Sequence, residues 1–265
     1  MTDASQGWTA LVLAGQRPGI DPMAAHFGAE MKALIPVAGE LMLNRVLEAL
    51  LDAPEIARIV VLAQNTLELR AHRDLAWAVE EPKITFRVSG PTISGSVLGA
   101  VEDPAVGLPL LVTTADNVML TPATVAQFVA GTGAGDVSVA FVERGNLERA
   151  VGPNRRTWLT FRDGAFTGAN LFALTGPGAT NALRFWEKVE ADRKSVLRLA
   201  AHFGPVLMVR LLLRRMTLTQ ALVAAGAKLG ASVSPVVLPD GRMGVDVDKP
   251  EDHALAERLL GAARG

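Results

Sequence analysis

Short apolar runs alternate along the chain with longer stretches of helical periodicity, and this alternation limits the fold more than any other feature. Runs such as residues 59–62 and 110–114 consist of aliphatic or β-branched residues, as expected for strands that are buried on both faces. Residues 41–51 instead place apolar side chains three and four positions apart, which is typical of an amphipathic helix. Strands that alternate with helices form parallel sheets. The sequence therefore predicts an α/β fold, a three-layer sandwich with a mostly parallel central sheet of the Rossmann-like type.

The pattern places the individual elements along the chain. Strands are predicted at residues 9–14, 59–62, 84–88, 110–114, 137–142 and 232–238, and helices at 41–51, 67–79, from about 94–96 to 101, from 122 and from 250. The turn signal Asp163–Gly164 predicts a hairpin within residues 157–174. The helical patterns of residues 177–229 predict a helical appendage near 180–230. Because no repeat or linker divides the sequence, we expect one domain over residues 1–265.

Composition limits the partners of such a fold. The 265 residues include no Tyr, four Trp and nine Phe, so the chain has few rings on which bases or sugars stack. A net charge of −1 gives no reason to expect binding to nucleic acid. The absence of Cys excludes disulfide scaffolds, Cys-based zinc sites and thiol catalysis. A small ligand must be held mostly by backbone groups, Gly-rich loops and charges.

The N-terminus and the most apolar stretch bear on localisation. Residues 1–7 are polar and lack the basic and apolar regions of a secretory signal, so we expect a cytoplasmic protein. The apolar stretch 206–213 is interrupted by Arg210 and is shorter than the roughly 18 residues that a membrane span needs. It predicts a buried helix. The alternative is an amphipathic surface helix, with Arg210 to Arg215 near lipid head groups, which would give peripheral membrane contact.

The loop after the first predicted strand has features of a phosphate-binding loop. Leu13, Ala14 and Gly15 end the strand, and Gln16 and Arg17 follow. A Gly at this point lets backbone N–H groups approach an anion closely, and a nearby Arg adds charge. The alternative is an ordinary turn between a strand and a helix. Neither the dinucleotide-binding nor the P-loop fingerprint is present.

Two acidic segments are candidates for metal binding. Asp116 follows the predicted strand 110–114, where open α/β sheets place their ligands, and its carboxylate is a candidate Mg²⁺ ligand. The alternative for Asp116 is a turn or cap before the next helix. The second segment contains Asp246 and Asp248 and leads to the helix predicted from residue 250, so its alternative role is to favour that helix start.

Together these motifs resemble a known family. The segment Leu13-Ala14-Gly15, then Lys32-Ala33-Leu34-Ile35-Pro36-Val37, and finally Asp-Val-Asp-x-Pro-Glu-Asp at 246–252, resembles the MobA-like NTP transferase domain. Members of this family include molybdenum-cofactor guanylyltransferases and cytidylyltransferases, with the fold of nucleotide-diphospho-sugar transferases. The resemblance implies that the first loop binds the triphosphate of an NTP and that Lys32 contacts phosphate near the reacting centre. The 17 positions from Gly15 to Lys32 (32 − 15) are more than is usual in the family, and Arg17 follows the Gly sooner than the family's basic residue does.

The resemblance also implies metal and base contacts. The carboxylate directly before x-Pro, Asp248, is expected to bind the metal together with Asp116, with Asp246 as the alternative to Asp248. Ser96 belongs to a polar, Gly-containing loop that ends in Ser96–Val97, and this loop resembles the family's base-contacting segment. A Ser that caps the following helix is the alternative for Ser96.

Two further positions are candidates for binding the acceptor. Asn170 follows Gly168 in a segment similar to the one that lines the acceptor pocket in relatives. Lys194 is a candidate for contacting an acceptor phosphate, and its alternative is a place on a solvated helix face.

The resemblance implies a Mg²⁺-dependent nucleotidyltransferase. Such an enzyme moves an NMP group, from CTP or GTP, to a phosphorylated sugar, polyol or cofactor and releases pyrophosphate. A nucleotide-sugar-dependent glycosyltransferase is an alternative, because Asp246–Val247–Asp248 is formally an Asp-x-Asp motif. The second alternative is a non-catalytic nucleotide-binding module.

Overall fold

A central sheet with helices on both faces makes up the computed structural model, which describes residues 7–16, 19, 21–153, 156–190 and 204–262. In chain order its strands are β1 (Trp8–Leu13), β2 (Pro36–Val37), β3 (Glu40–Leu41), β4 (Ile56–Ala63), β5 (Ile84–Val88), β6 (Leu110–Thr114), β7 (Val137–Glu143), β8 (Leu159–Phe161), β9 (Gly164–Leu174) and β10 (Val233–Leu238). Its α-helices are α1 (Pro22–Phe27), α2 (Met42–Leu51), α3 (Thr66–Ala71), α4 (Ala76–Glu80), α5 (Ile93–Glu102), α6 (Pro122–Gly131), α7 (Arg144–Val151), α8 (Gly178–Glu190), α9 (Pro205–Leu212), α10 (Leu218–Leu229) and α11 (Pro250–Ala262).

The sheet is mostly parallel, as predicted. Its strand order is β10-β7-β9-β6-β1-β4-β5, and β8 pairs with β9 outside this path. Strand β9 runs antiparallel to both of its neighbours, β6 and β7, while the pairs of β1 with β4, β1 with β6, β4 with β5 and β7 with β10 are parallel. The predicted hairpin is present as β8 and β9, joined after Phe161.

The alternating burial of the strands gives each face of the sheet its own core. On one face, Val12 and Val61 pack with Leu47 of α2 and Phe128 of α6. On the other face, Leu11 packs with side chains of α5, α8 and α10, which are Val97, Ala179 and Leu222. Apolar side chains on both sides of the central strands therefore produce the three layers.

Helix starts follow the local capping chemistry. Thr121 caps α6, its side chain accepting a hydrogen bond from the Thr124 N–H at 3.1 Å, and Pro122 begins the helix as predicted. At α5 the cap is Thr92, whose side chain accepts from the Gly95 N–H. The alternative of a Ser cap at Ser96 is therefore wrong, since Ser96 lies inside the helix.

Three local differences from the sequence pattern have clear causes. The helix predicted over 67–79 is divided, because His72 has extended backbone between α3 and a 3-10 turn that leads into α4. The pattern did not predict α1, which is short and is capped by Asp21. It also did not predict α7, a polar helix with Leu147 as its one buried residue.

Helices of the predicted appendage take two different positions. Both α8 and α10 contribute to the core of the sheet's second face. In α9 and just after it, Val209, Leu212 and Leu213 are 52%, 76% and 55% exposed. The prediction of a buried helix at 206–213 is therefore wrong, and lipid contact by its Arg residues stays a prediction. Within the described ranges no helix combines the length and the apolar character needed to cross a bilayer.

A close glycine contact fixes the path of the chain towards the C-terminal acidic segment. After β10 the chain makes a 3-10 turn over Gly241–Gly244. A Cβ on Gly241 would lie 2.1 Å from the backbone oxygen of Asn146 in α7, so a larger residue would displace the turn. The turn thus holds the following residues against α7 at the edge of the sheet.

Candidate active site

Three predicted residues meet at the carboxyl end of the parallel strands. Lys32 projects from a 3-10 helix (Lys32–Leu34), Asp116 follows β6, and Asp248 follows the 3-10 turn after β10. The Lys32 Nζ donates to Asp116 Oδ2 at 2.5 Å and to Asp248 Oδ1 at 2.6 Å. Residues that are 84 and 216 positions from Lys32 in the chain are thus joined through one ammonium group.

The charges of this triad act strongly on one another. Burial alone would lower the pKa of Lys32, but the charges and hydrogen bonds of Asp116 and Asp248 raise it above its ordinary value. Burial raises the pKa of Asp116, although Lys32 and the Thr114 hydroxyl favour its charged form. Burial also opposes the charge of Asp248, but the hydrogen bond and charge of Lys32 lower its pKa. Two carboxylates facing one ammonium leave an excess of negative charge, which favours a bound cation.

Further hydrogen bonds fix the two aspartates. The Thr114 hydroxyl donates to Asp116 Oδ1 at 2.5 Å. The Val247 N–H donates to the backbone oxygen of Asp116 at 3.3 Å, so the C-terminal acidic segment lies directly beside the end of β6. Asp116 is largely buried, whereas the Asp248 side chain is 58% exposed. The more accessible carboxylate is therefore Asp248.

Asp246 points to a different set of partners. Arg156 Nη1 donates to Asp246 Oδ1 at 2.6 Å, and Asn170 Nδ2 donates to Asp246 Oδ2 at 3.2 Å. Arg156 Nη2 also donates to Asp252 Oδ1 at 3.3 Å. Both oxygens of Asp246 are engaged in these contacts, so it lies in an ion cluster next to the triad.

Asn170 is positioned by unusual backbone geometry. Its φ is +45°, a left-handed conformation that Asn tolerates better than most residues. Its backbone oxygen accepts from the Thr113 hydroxyl at 2.9 Å. The neighbouring Asn117 is buried and donates to Thr113 Oγ1 and to the Ala169 oxygen, which makes it a link between β6 and β9.

The predicted phosphate loop lies beside the triad. Ala14 donates its N–H to Leu62 of β4, and the Ala115 N–H donates to the Leu13 oxygen, so the loop is continuous with the sheet. The Gln16 N–H donates to Gln64 Oε1 at 2.9 Å. A Cβ on Gly15 would lie 2.7 Å from this same Gln64 oxygen, and Gly15 therefore lets the Gln64 amide approach the loop. Arg17 lies outside the described residues.

The remaining two candidates are Ser96, which the structure describes, and Lys194, which it does not. The Ser96 hydroxyl donates to the Thr92 oxygen at 2.7 Å and approaches the Gly90 oxygen at 3.4 Å. Its proton is used within its own loop, and only its lone pairs can serve a ligand. Lys194 lies outside the described residues.

Sequence reasoning missed Arg156 and Gln64. Arg156 belongs to no motif, and it reaches Asp246 only because the chain before β8 passes the C-terminal segment, 90 positions away in sequence. Gln64 directly follows the end of β4, at the edge where open α/β sheets bind ligands. That position is a signal that could have indicated it.

The triad fits a magnesium ion held partly by substrate. In the described part of the chain, no three His, Asp or Glu side chains gather into a group able to hold a metal ion. Mg²⁺ in phosphate chemistry, however, is commonly held by one or two carboxylates together with substrate phosphates and water. Asp116 and Asp248 supply two such oxygen donors next to a cation-binding position that Lys32 occupies.

The family model of the MobA-like NTP transferase domain matches residues 10–240. The chain belongs to this family. Lys32 and Asp116 lie within the matched range, and Asp246 and Asp248 lie beyond it. No curated protein matches the sequence significantly.

Solved structures share the fold of this chain. A hypothetical transferase from Thermus thermophilus is 29% identical, with a TM-score of 0.78, and the match covers 94% of this chain and 100% of that one. The 4-diphosphocytidyl-2C-methyl-D-erythritol synthase of Anaerococcus prevotii is 11% identical, with a TM-score of 0.59 and coverage of 97% and 96%. The 2-C-methyl-D-erythritol 4-phosphate cytidylyltransferase of Thermus thermophilus is 17% identical, with a TM-score of 0.53 and coverage of 97% and 100%. The last two share the fold with this nucleotidyltransferase.

Proposed function

We propose that this nucleotidyltransferase moves an NMP group, from CTP or GTP, to a phosphorylated small molecule such as a sugar, polyol or cofactor phosphate. We further propose that it depends on Mg²⁺ and acts in the cytoplasm as one domain over residues 1–265. The observation that carries the proposal is the contact of Lys32 with both Asp116 and Asp248 beside the Gly15 loop. A loop of backbone N–H groups, a lysine and two carboxylates is what a polyphosphate and its counter-ion require.

The reaction is an in-line displacement at phosphorus. An oxygen of the acceptor phosphate forms a bond to the α-phosphorus of the NTP, and the bond from that phosphorus to the oxygen bridging to the β-phosphate breaks. The electron pair leaves with pyrophosphate, and no oxidation or reduction occurs. The acceptor phosphate is already an anionic nucleophile, so the protein needs no covalent intermediate.

Each residue of the site has a defined task in this reaction. The Gly15 loop and Lys32 would hold the triphosphate, and Lys32 would neutralise charge that develops on it. Asp116 and Asp248 would hold Mg²⁺, which supplies charge neutralisation and orientation of phosphate oxygens when it is bound. Lys32 releases its two carboxylates as it turns to phosphate, since a lysine stem is flexible.

Supporting residues would complete the two substrate sites. We assign the base of the NTP to the loop around Ser96, which offers hydroxyl lone pairs and backbone groups. We assign the acceptor to the neighbourhood of Asn170. Arg17 and Lys194 are further proposed contacts, to the triphosphate and to the acceptor phosphate respectively.

The partners of Asp246 favour a glycosyltransferase less. The carboxylates of Asp246 and Asp248 lie close enough to interact, as in an Asp-x-Asp motif, but both oxygens of Asp246 already accept hydrogen bonds from Arg156 and Asn170. The separating experiment incubates the protein and Mg²⁺ with each of the four NTPs and pooled sugar and polyol phosphates. Pyrophosphate release that requires both substrates supports the proposal. Turnover of nucleotide sugars alone, or nucleotide binding without turnover, contradicts it.

A further inference from the structure

Among the described residues of the central sheet, one aromatic side chain, that of Phe172, is exposed to solvent. Phe172 belongs to β9, which is hydrogen-bonded to β6 on one side and to β7 on the other. Side chains of such an internal strand are ordinarily covered on both faces. Phe172 is nevertheless 38% exposed, whereas Leu174, two residues further along the strand, is 4% exposed.

Two helices, α8 and α10, pack on the face of the sheet that carries Phe172. Asn181 of α8 donates to the Gly230 oxygen at the end of α10, at 3.2 Å. At their other ends the two helices contact different elements. Glu187 of α8 approaches Gly95 near the start of α5, while the N–H of Leu218, the first residue of α10, donates to Asp163 Oδ1 in the β8–β9 turn.

The strand neighbours of Phe172 are apolar, and its strand leads to the site. In the strand register Phe172 lies opposite Val112 of β6 and Val139 of β7. Asn170, which contacts Asp246, is two residues away, or about 7 Å along the strand. A ligand that reaches from the aspartates across Asn170 therefore meets a polar region first and the Phe172 ring next.

The topology assigns this side of the site to the acceptor. The Gly15 loop follows β1 and the Ser96 loop follows β5, so the NTP would lie over β1, β4 and β5. Strand β9 is on the other side of β6, which ends at Asp116. The second substrate is consequently placed over β9.

We propose that Phe172 forms an apolar subsite for the carbon skeleton of the acceptor, which is then a phosphate ester of an aliphatic alcohol rather than of a polyol. This inference rests on the proposed nucleotidyl transfer and replaces its broad range of sugar, polyol or cofactor phosphates with one class of acceptor. A hydrocarbon chain that covers the exposed ring removes apolar surface from water, and this burial stabilises the bound acceptor. A polyol at the same place would lose hydrogen bonds to water without protein partners on the ring to replace them.

Two synthetic acceptors of equal carbon number test the proposal. Pyrophosphate release is measured with n-pentyl phosphate and with ribitol 5-phosphate, in the presence of Mg²⁺ and the NTP that gives the higher rate. We expect kcat/KM for pentyl phosphate to exceed that for ribitol phosphate on the order of 10-fold or more. Phe172→Thr, which suits a strand, should abolish most of this preference while ribitol phosphate turnover changes little. Phe172→Leu should retain most of it.

Controls separate the possible failures. Val223→Thr changes an apolar residue of α10 that is 57% exposed, and it should leave the preference unchanged. Equal thermal melting of the variants shows that they fold. A wild-type preference for ribitol phosphate, or one that Phe172→Thr does not alter, overturns the apolar subsite and leaves nucleotidyl transfer intact. Absence of turnover with every NTP and both acceptors counts against the proposed function as well.

Discussion

Two clusters of one cation and two carboxylates lie side by side at the carboxyl edge of the sheet, and they differ in openness. In the first, Lys32 contacts Asp116 and Asp248, and the Asp248 side chain is 58% exposed. In the second, Arg156 contacts Asp246 and Asp252, whose side chains are 27% and 24% exposed. The first cluster pairs a flexible lysine with an accessible carboxylate, and the second pairs a planar arginine with enclosed ones. From this comparison we expect the Lys32 cluster to take part in the reaction and the Arg156 cluster to hold the C-terminal segment in place.

The largest expected difference lies between two aspartates that are two positions apart. Asp248→Asn should lower kcat on the order of 10³-fold. The carboxylate that it removes is expected to lower the energy of the transition state by several kcal/mol through the bound metal ion. Asp246→Asn keeps one oxygen that can accept from Arg156, so kcat should fall by no more than about 10-fold. Pyrophosphate release under saturating substrates measures both. Equal losses in the two variants would remove the distinction between the clusters.

Lys32→Met should have the next largest effect. We expect kcat to fall on the order of 10²-fold, since a positioned cation that faces the transferred phosphate is lost. Lys83→Met, which changes an exposed lysine before β5, is the matched control and should keep the wild-type rate. If Lys32→Met retained full activity, Lys32 would be only a structural partner of the two aspartates.

The Arg156 cluster should contribute more to stability than to rate. Arg156→Met leaves Asp246 and Asp252 without their cation, and should lower the free energy of unfolding by about 1–3 kcal/mol. Chemical denaturation measures this change. Added Mg²⁺ should raise the melting temperature of Lys32→Met, because Asp116 and Asp248 then face an empty cation position. It should not raise the melting temperature of Arg156→Met. Rescue of both variants to the same extent would contradict the comparison.

Much of the first cluster was predictable and most of the second was not. Asp116 follows a predicted strand, and Lys32 begins a segment that resembles a family motif. The strands that carry the site are recognisable as uniform apolar runs. Arg156 stands in no pattern, because its role arises from a contact with Asp246 that only the folded chain creates. The exposure of Phe172 was not predictable either, because the sequence shows an ordinary strand residue and its exposure depends on how the helices pack on that face of the sheet. The wrong prediction of a buried helix at α9 has a similar origin, because apolar composition does not tell whether another element covers a helix.

The smallest expected difference is in carboxyl titration. In metal-free protein, Lys32 outweighs burial and lowers the pKa of Asp248, while burial raises the pKa of Asp252. The contribution of Asp248 to stability is present above its unfolded pKa and is lost as pH falls through the lower folded value. For Asp252, stability is present below the unfolded pKa and falls as pH rises through the higher folded value. Carboxyl-carbon NMR should show Asp252 titrating at higher pH than Asp248, and the reverse order would contradict this assignment.

The most direct test of the central claim follows the α-phosphate itself. NTP that carries label in the α-phosphate is incubated with Mg²⁺ and a phosphorylated acceptor, and the products are separated. If the Lys32–Asp116–Asp248 triad is the centre of nucleotidyl transfer, the label appears joined to the acceptor in the wild type and is lost in Asp116→Asn. Label that never joins any acceptor, or that joins it equally in Asp116→Asn, would contradict the account.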